Sequence, residues 1–180
     1  MTTWERLASD QLAALLDDAR ARLWRWECRG DYSAVDADLL RRWRAGLGRD
    51  PAEDRSWTQY VQGLRRRGVR FERARRFTEP LTEYLRMQLD FTYMNVDAGE
   101  DVRWVAPSVA TGAGMPDHDF YVIDDDMVAV LDFDSAGRFD GARANGAVEV
   151  VARHVAWRDL IWPRAVPHER HLTDFAQRHG

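Results

Sequence analysis

The sequence predicts an α/β (α+β mixed) fold: a single mixed β-sheet with a βαβ unit and an antiparallel meander, flanked by about five helices. Three observations predict it. GVRFERARRF, a helical stretch and EDVRWV follow one another in the order of a βαβ crossover, which pairs its strands in parallel. Residues 119–144 hold three apolar-rich runs separated by Asp124-Asp125-Asp126 and Ser135-Ala136-Gly137, turn chemistry that fits a meander. Elsewhere, apolar residues recur at the helical period between cap and stop signals.

Taken in chain order, Leu12, Leu15, Leu16, Ala19 and Leu23 recur at the helical period and mark a first helix after Ser9 or Asp10 as a cap. Leu23 to Cys28 alternates large apolar and charged residues, which predicts a short strand. A second helix is expected from Ala34 to about Ala45, with Ser33 as cap and Gly46 and Gly48 behind it. The clearest start lies at Asp50, where Asp-Pro-Ala-Glu supplies a cap, a proline at the first helical position and a capping-box glutamate. Trp57, Tyr60, Val61 and Leu64 share one face of that helix, and Gly68 suits its stop. A strand follows over 69–77. Thr78-Glu79-Pro80 opens a helix with Leu81, Tyr84, Leu85 and Leu89 as its stripe, then comes a strand over 102–106.

The loop 107–116 contains two prolines and two glycines besides its flanks' apolar residues, and it is read as a mobile or ligand-covering loop. Strands are expected over 119–123, 127–133 and 138–144. A last helix runs from about Val148 to Trp162 before Pro163 and Pro167. The chain is read as one domain over 1–180, with a helical part over 1–68, a sheet-bearing core over 69–162 and a polar C-terminal tail over 163–180 holding solvent-facing His168, His171 and His179.

Composition narrows the chemistry. All 26 basic residues are arginine, so Schiff-base catalysis, a lysine general base and a P-loop lysine are excluded. One cysteine, Cys28, leaves no intrachain disulfide and fits a reducing compartment. No signal-like start and no run of eighteen apolar residues occur, which predicts a cytoplasmic protein with no membrane association. Eight tryptophans are read as core filling.

Charge is segregated. Residues 65–76 carry seven arginines against Glu72, and residues 117–134 carry seven aspartates and no arginine. Arg65, Arg66, Arg67, Arg70 and Arg76 are therefore candidates for an anion or nucleic-acid contact, although strand alternation puts Val69, Phe71, Arg73, Arg75 and Phe77 on one side and divides the cluster. The sequence pI of about 5.7 also disfavours nucleic acid. Asp132 and Asp134, with Asp124 or Asp125, could offer hard oxygens to a divalent ion, but they have no fixed ligand spacing and are read as turn chemistry, so no metal and no cofactor are expected.

The stretch HDFYVIDDDMVAVLDF resembles a degraded phospholipase D superfamily motif, His-x-Lys-x-x-x-x-Asp, with His118 first, Phe120 in the lysine place and Asp125 in the aspartate place. The resemblance implies a strand-and-turn setting for a histidine nucleophile or acid. Phenylalanine, however, supplies neither the charge nor the donors that such a phosphoryl intermediate needs. Over nearly the whole chain, TEPLTEYLRMQL, AGEDVRWV, PDHDFYVIDDDMVAVLDFDSAGRFDGA and VARHVAWRDLIWPRAVP resemble an uncharacterised actinobacterial domain family encoded beside helix-turn-helix regulators. That resemblance implies a toxin-antitoxin-like or developmental regulatory setting and no catalytic residue.

The leading expectation is a non-enzymatic, regulator-associated module. It would bind a partner protein, such as a helix-turn-helix regulator, or a small-molecule ligand beside the 107–116 loop. Its candidate ligand-binding residues are Tyr84, Arg86, Glu100, Arg103, Trp104, His118 and Phe120. The alternative is a phosphoryl-transfer or small-molecule biosynthetic enzyme using His118 with Asp119 or Asp125 as its orienting acid. Nucleic-acid binding through the 65–76 segment is the third.

Overall fold

A computed structural model describes residues 3–179, with side chains described through residue 174. In chain order the elements are β1 (Glu5–Leu7), α1 (Ser9–Asp17), β2 (Arg22–Glu27), α2 (Ala37–Arg44), α3 (Pro51–Arg66) and β3 (Arg70–Arg76). Then follow α4 (Glu83–Phe91), α5 (Tyr93–Ala98), β4 (Asp101–Val105), α6 (Pro107–Gly112), β5 (Phe120–Ile123) and β6 (Met127–Phe133). The chain closes with β7 (Phe139–Asn145), α7 (Val148–Ile161), β8 (Val166–Pro167) and α8 (His168–His179). The strands form one mixed sheet in the order β1-β7-β6-β5-β2-β3-β4-β8. Strands β2, β3 and β4 run parallel, and every other pair is antiparallel.

Local chemistry explains the elements that the sequence signals well. The Asp50 carboxylate accepts hydrogen bonds from the Ala52 and Glu53 amides and starts α3, with Pro51 inside its first turn. Helix α4 begins at Thr82, whose hydroxyl accepts the Leu85 amide, so the expected start at residues 78–80 moves by one turn. The β5–β6 turn places Asp124 and Asp125 at φ 52° and 60°, and the Asp126 amide donates to the Ile123 carbonyl. This is type I′ geometry, which aspartate tolerates and which matches the twist of a hairpin.

Both faces of the sheet are covered, so its central strands are buried on both sides. On the first face, α1, α3 and α5 pack over Leu23, Phe71, Tyr121, Ile123 and Leu131. Beside them α2, α4 and α8 cover Phe77 and Trp104. On the second face, α6 and α7 cover Trp24, Trp26, Ala74, Phe120, Val122, Val128 and Val130. The expectation that tryptophans fill the core holds for Trp24, Trp26 and Trp104, each with no exposed surface.

Several expectations change here. The sheet is not confined to 69–162: β2 sits at its middle and β1 and β8 at its edges. The 107–116 loop is mostly helix α6, anchored on the second face through buried Ala110. The polar tail is strand β8 and helix α8. His168 and His171 are buried rather than solvent-facing, because both rings stack on Trp104 and the Trp104 indole N–H donates to His168 Nδ1 at 3.0 Å. The side chain of His179 lies outside the described residues.

Candidate functional site

Strand alternation puts Leu23, Arg25 and Glu27 of β2 on the first face, and β3 contributes Phe71, Arg73 and Arg75 to it. The parallel register sets Arg25 beside Arg73 and Glu27 beside Arg75. Helices cover this face, so charged side chains that alternation sends inward cannot reach bulk water. They pair with one another instead. Glu27, Arg73, Arg75, Glu100 and Asp119 all keep less than a tenth of their surface exposed.

Glu27 is the centre of the network. Its carboxylate accepts from Arg73 Nη1 and Arg75 Nε, both at 2.6 Å, and lies 3.2 Å from Arg25 Nε. Burial alone would raise its pKa, but the three guanidiniums hold it far below the ordinary carboxylate range. Arg73 Nε donates to Glu100 at 2.5 Å, and Glu100 also accepts from Asn95 Nδ2 at 2.8 Å. Arg75 Nη1 donates to Gln88 Oε1 and Thr92 Oγ1. Asp119 accepts from the Tyr32 hydroxyl at 2.7 Å and from the Cys28 amide and thiol, with Arg25 Nη2 3.9 Å away. Burial first, and then the neighbouring carboxylates, push the Tyr32 phenol up. Burial and Asp119 do the same to the Cys28 thiol, which makes it an inert packed group.

Above the network lies a cleft of about 350 Å³, walled by Arg25, Glu27, Arg73, Arg75 and Tyr121 from the strands, by Trp57, Tyr84 and Asn95 from the helices, and by Tyr32, Asp36 and Arg49 from the connecting segments. Two of its buried donors have no hydrogen-bond partner: Arg25 Nε, which approaches Glu27 out of line, and the Trp57 indole N–H. Most of the remaining polar wall is held in place. Arg25 Nη1 donates to the Tyr121 hydroxyl at 3.0 Å, Gln88 donates to the Tyr84 hydroxyl, and Tyr84 donates to Asp36. A rigid polar wall with spare donors is suited to orienting a small acceptor-bearing molecule.

The structure brings together few of the sequence-predicted site residues. Tyr84 lines the cleft, Glu100 lies behind Arg73, and Trp104 stacks under Arg75, with the guanidinium 5.3 Å from its ring. Arg86 is exposed on α4, and Arg103 pairs with Asp101 and covers Trp162. His118 and Phe120 lie on the opposite face, in a ring cluster with His154 and Trp157. The catalytic trio does not converge. Asp119, one residue from His118, points to the other face, toward Tyr32. Asp125 is at the far end of β5, bonded to Arg158. Burial lowers the His118 pKa, and Arg143 adds to that effect.

The arginine segment divides: alternation turns Arg73 and Arg75 to the first face, while Arg65, Arg66, Arg67 and Arg70 are exposed at one end of β3 and Arg76 at the other end donates to the Cys28 carbonyl and to Asp117. The aspartates act as turn and pairing groups. Asp124 accepts the Arg20, Ala21 and Arg22 amides, Asp132 pairs with Arg143, and Asp134 pairs with Arg138. Among the described residues no group of three or more His, Cys, Asp or Glu side chains is arranged to hold a metal ion.

Sequence reasoning missed Arg25, Glu27, Tyr32, Trp57, Arg73 and Arg75 as site residues. A signal was present in RLWRWE and RFERARR, where alternation sets Arg25 and Glu27 on the side of Leu23, and Arg73 and Arg75 on the side of Phe71. That pattern usually marks a solvated face. Only the helices that cover it turn it into a buried site.

No curated protein matches the chain. Among solved structures it is similar to TrmBL2, an archaeal chromatin protein whose structure shows a novel mode of DNA binding, at 13% identity and a TM-score of 0.48 over 92% of this chain and 53% of that one. The chain thus spans about half the length of that protein. The family model described as Domain of unknown function (DUF6879) matches residues 10–173, and the chain belongs to that family.

Proposed function

We propose that this chain is a small-molecule-binding module whose ligand occupies the cleft above Glu27, on the first face of the sheet. The observation that carries this reading is the pair of buried donors without a hydrogen-bond partner, Arg25 Nε and the Trp57 indole N–H, on residues that line a 350 Å³ cleft most of whose other polar groups are fixed by hydrogen bonds. A buried donor without an acceptor is costly, and a ligand oxygen or nitrogen would satisfy it. The reading is non-enzymatic, since His118, Asp119 and Asp125 do not share a site. A helix-turn-helix regulator is the partner class that the sequence resemblance carries into this proposal, with cleft occupancy as the signal it would receive.

The test is a thermal-unfolding screen against fractions of a small-molecule cell extract, with Val35→Trp as the control. Val35 lines the cleft and is 50% exposed, so a tryptophan there fills the cleft without disturbing the core. At least one fraction is expected to raise the unfolding temperature of the wild type and not that of the variant. Equal shifts in both proteins, or no shift from any fraction, would overturn the reading.

A further inference from the structure

A second cleft of about 640 Å³ opens between α1 and α3, lined mainly by Ala13, Leu16, Trp57, Tyr60, Phe71 and Tyr121, with Asp17, Arg49, Glu53 and Ser56 at its polar positions. It shares Arg49, Trp57 and Tyr121 with the polar cleft above Glu27. Trp57 therefore stands between the two. Its ring packs on Tyr60 and Phe71, with centroids 5.6 and 5.9 Å away, while its indole N–H is buried without a partner. One arm of the combined space is polar with spare donors, and the other is largely aromatic and aliphatic.

The charge on the walls limits what can enter. The polar cleft is lined by four arginines (Arg25, Arg49, Arg73 and Arg75) and by two carboxylates, Glu27 and Asp36, while Asp17 and Glu53 line the apolar one. Carboxylates behind the wall supply the balance: Arg49 pairs with Asp54, Arg73 with Glu100, and Asp119 lies 3.9 Å from Arg25. No positive surplus is available, so an anionic head group would bring an uncompensated charge into a buried site. A cationic head group would leave the free N–H groups unsatisfied, because a cation brings donors to a wall that already has unpaired donors. An uncharged acceptor, such as a carbonyl oxygen, meets both conditions.

Resting on the small-molecule reading above, we infer that the two clefts form one bipartite site for a neutral amphiphile, whose carbonyl-type acceptor takes the Trp57 and Arg25 N–H groups and whose apolar body lies between α1 and α3. This separates the ligand from anionic cofactors and nucleotides, which need an unpaired cation. It also assigns Trp57 a positioning role in addition to packing.

The experiment uses prodan, an uncharged naphthyl ketone whose emission shifts to the blue in apolar surroundings, and the anionic dye 1-anilinonaphthalene-8-sulfonate for comparison. Saturable one-to-one binding of prodan with blue-shifted emission is expected, and tighter binding than that of the sulfonate. Trp57→Phe, which keeps an aromatic ring and removes the N–H, should weaken prodan roughly three- to ten-fold, the value of one neutral hydrogen bond. Ala13→Trp, a substitution at an exposed helix position that fills the apolar arm, should weaken it by about ten-fold or more. Tighter sulfonate than prodan binding, or prodan affinity unchanged by both variants, would overturn the inference. If the active extract fraction shifts wild type and Ala13→Trp equally but not Val35→Trp, the ligand uses the polar arm alone. The bipartite site then falls while the small-molecule reading stands.

Discussion

Glu27→Gln is the substitution that tests the buried network most directly. The wild-type carboxylate takes two hydrogen bonds of 2.6 Å from Arg73 and Arg75 and lies 3.2 Å from Arg25. Glutamine preserves the shape and one acceptor oxygen, but it removes the charge and turns an NH2 group toward guanidinium donors. Three arginines then share only Glu100 and Asp119, both of which are engaged elsewhere. Breaking a buried ion pair from one side costs about 3–5 kcal/mol, because the uncompensated charge stays in place. A protein of this size loses roughly 2–4 °C of unfolding temperature per kcal/mol, so a fall of about 6–20 °C is expected. Urea unfolding followed by tryptophan fluorescence gives the free energy directly, and an unchanged slope would show that the substitution acts on the folded state.

The acid limb supplies a second readout of the same variant. The folded-state pKa of Glu27 is depressed below its ordinary value of 4.5, so its contribution is fully present above that value and is lost as pH falls below it. The variant should therefore lose less stability than wild type between neutral pH and acid. A control at the exposed pair, Asp140→Asn opposite Arg6, should cost about 0.5 kcal/mol or less. A loss below about 1 kcal/mol in Glu27→Gln, or an acid limb parallel to that of wild type, would refute the reasoning that this cluster is a tightly coupled buried network.

Three further outcomes are expected. His168 has its pKa lowered to about 4 by burial first, then by Arg75 and His171, so the unfolded chain binds the extra proton and stability declines as pH falls from about 6.5 toward 4. His168→Gln, which can still accept the Trp104 N–H, should reduce that slope in a pH series of urea melts without abolishing it, since His118 and His154 are shifted in the same direction. Gly141→Ala should destabilise by about 2–4 kcal/mol by the same assay, because φ is +101° there and an added Cβ would stand 2.7 Å from the Leu7 carbonyl oxygen across the β1–β7 pair. His118→Ala should leave prodan affinity unchanged and cost about 1–2 kcal/mol through its half-buried ring cluster; a lost binding response would place His118 in the site after all.

Much of the architecture was legible in the chain because it depends on local chemistry. The Asp50-Pro51 start, the βαβ order around α4 and the 120–145 meander all rest on caps, periods and turn residues that act within a few positions of one another. What was illegible rests on long-range pairing. Neither β1 nor β8 has a strand signature in three and two residues, and each exists because β7 or β4 offers an open edge. His168 and His171 read as polar tail residues because the signal for their burial, the Trp104 ring, lies more than sixty positions away.

The candidate site shows the same division more sharply. By itself the sequence determined that Arg25, Glu27, Arg73 and Arg75 share one side of their strands, because alternation is a property of the extended backbone. It also determined that no lysine chemistry is available within these 180 residues. Whether those four charges face water or one another was decided only by the tertiary structure. Parallel pairing of β2 with β3 brings the residues together from 48 positions apart, and the helices remove the solvent that would otherwise screen them. A strand pattern encodes which residues share a face, but what covers that face depends on the packing of elements distant in the chain, and that covering turns a charged strand face into a binding site.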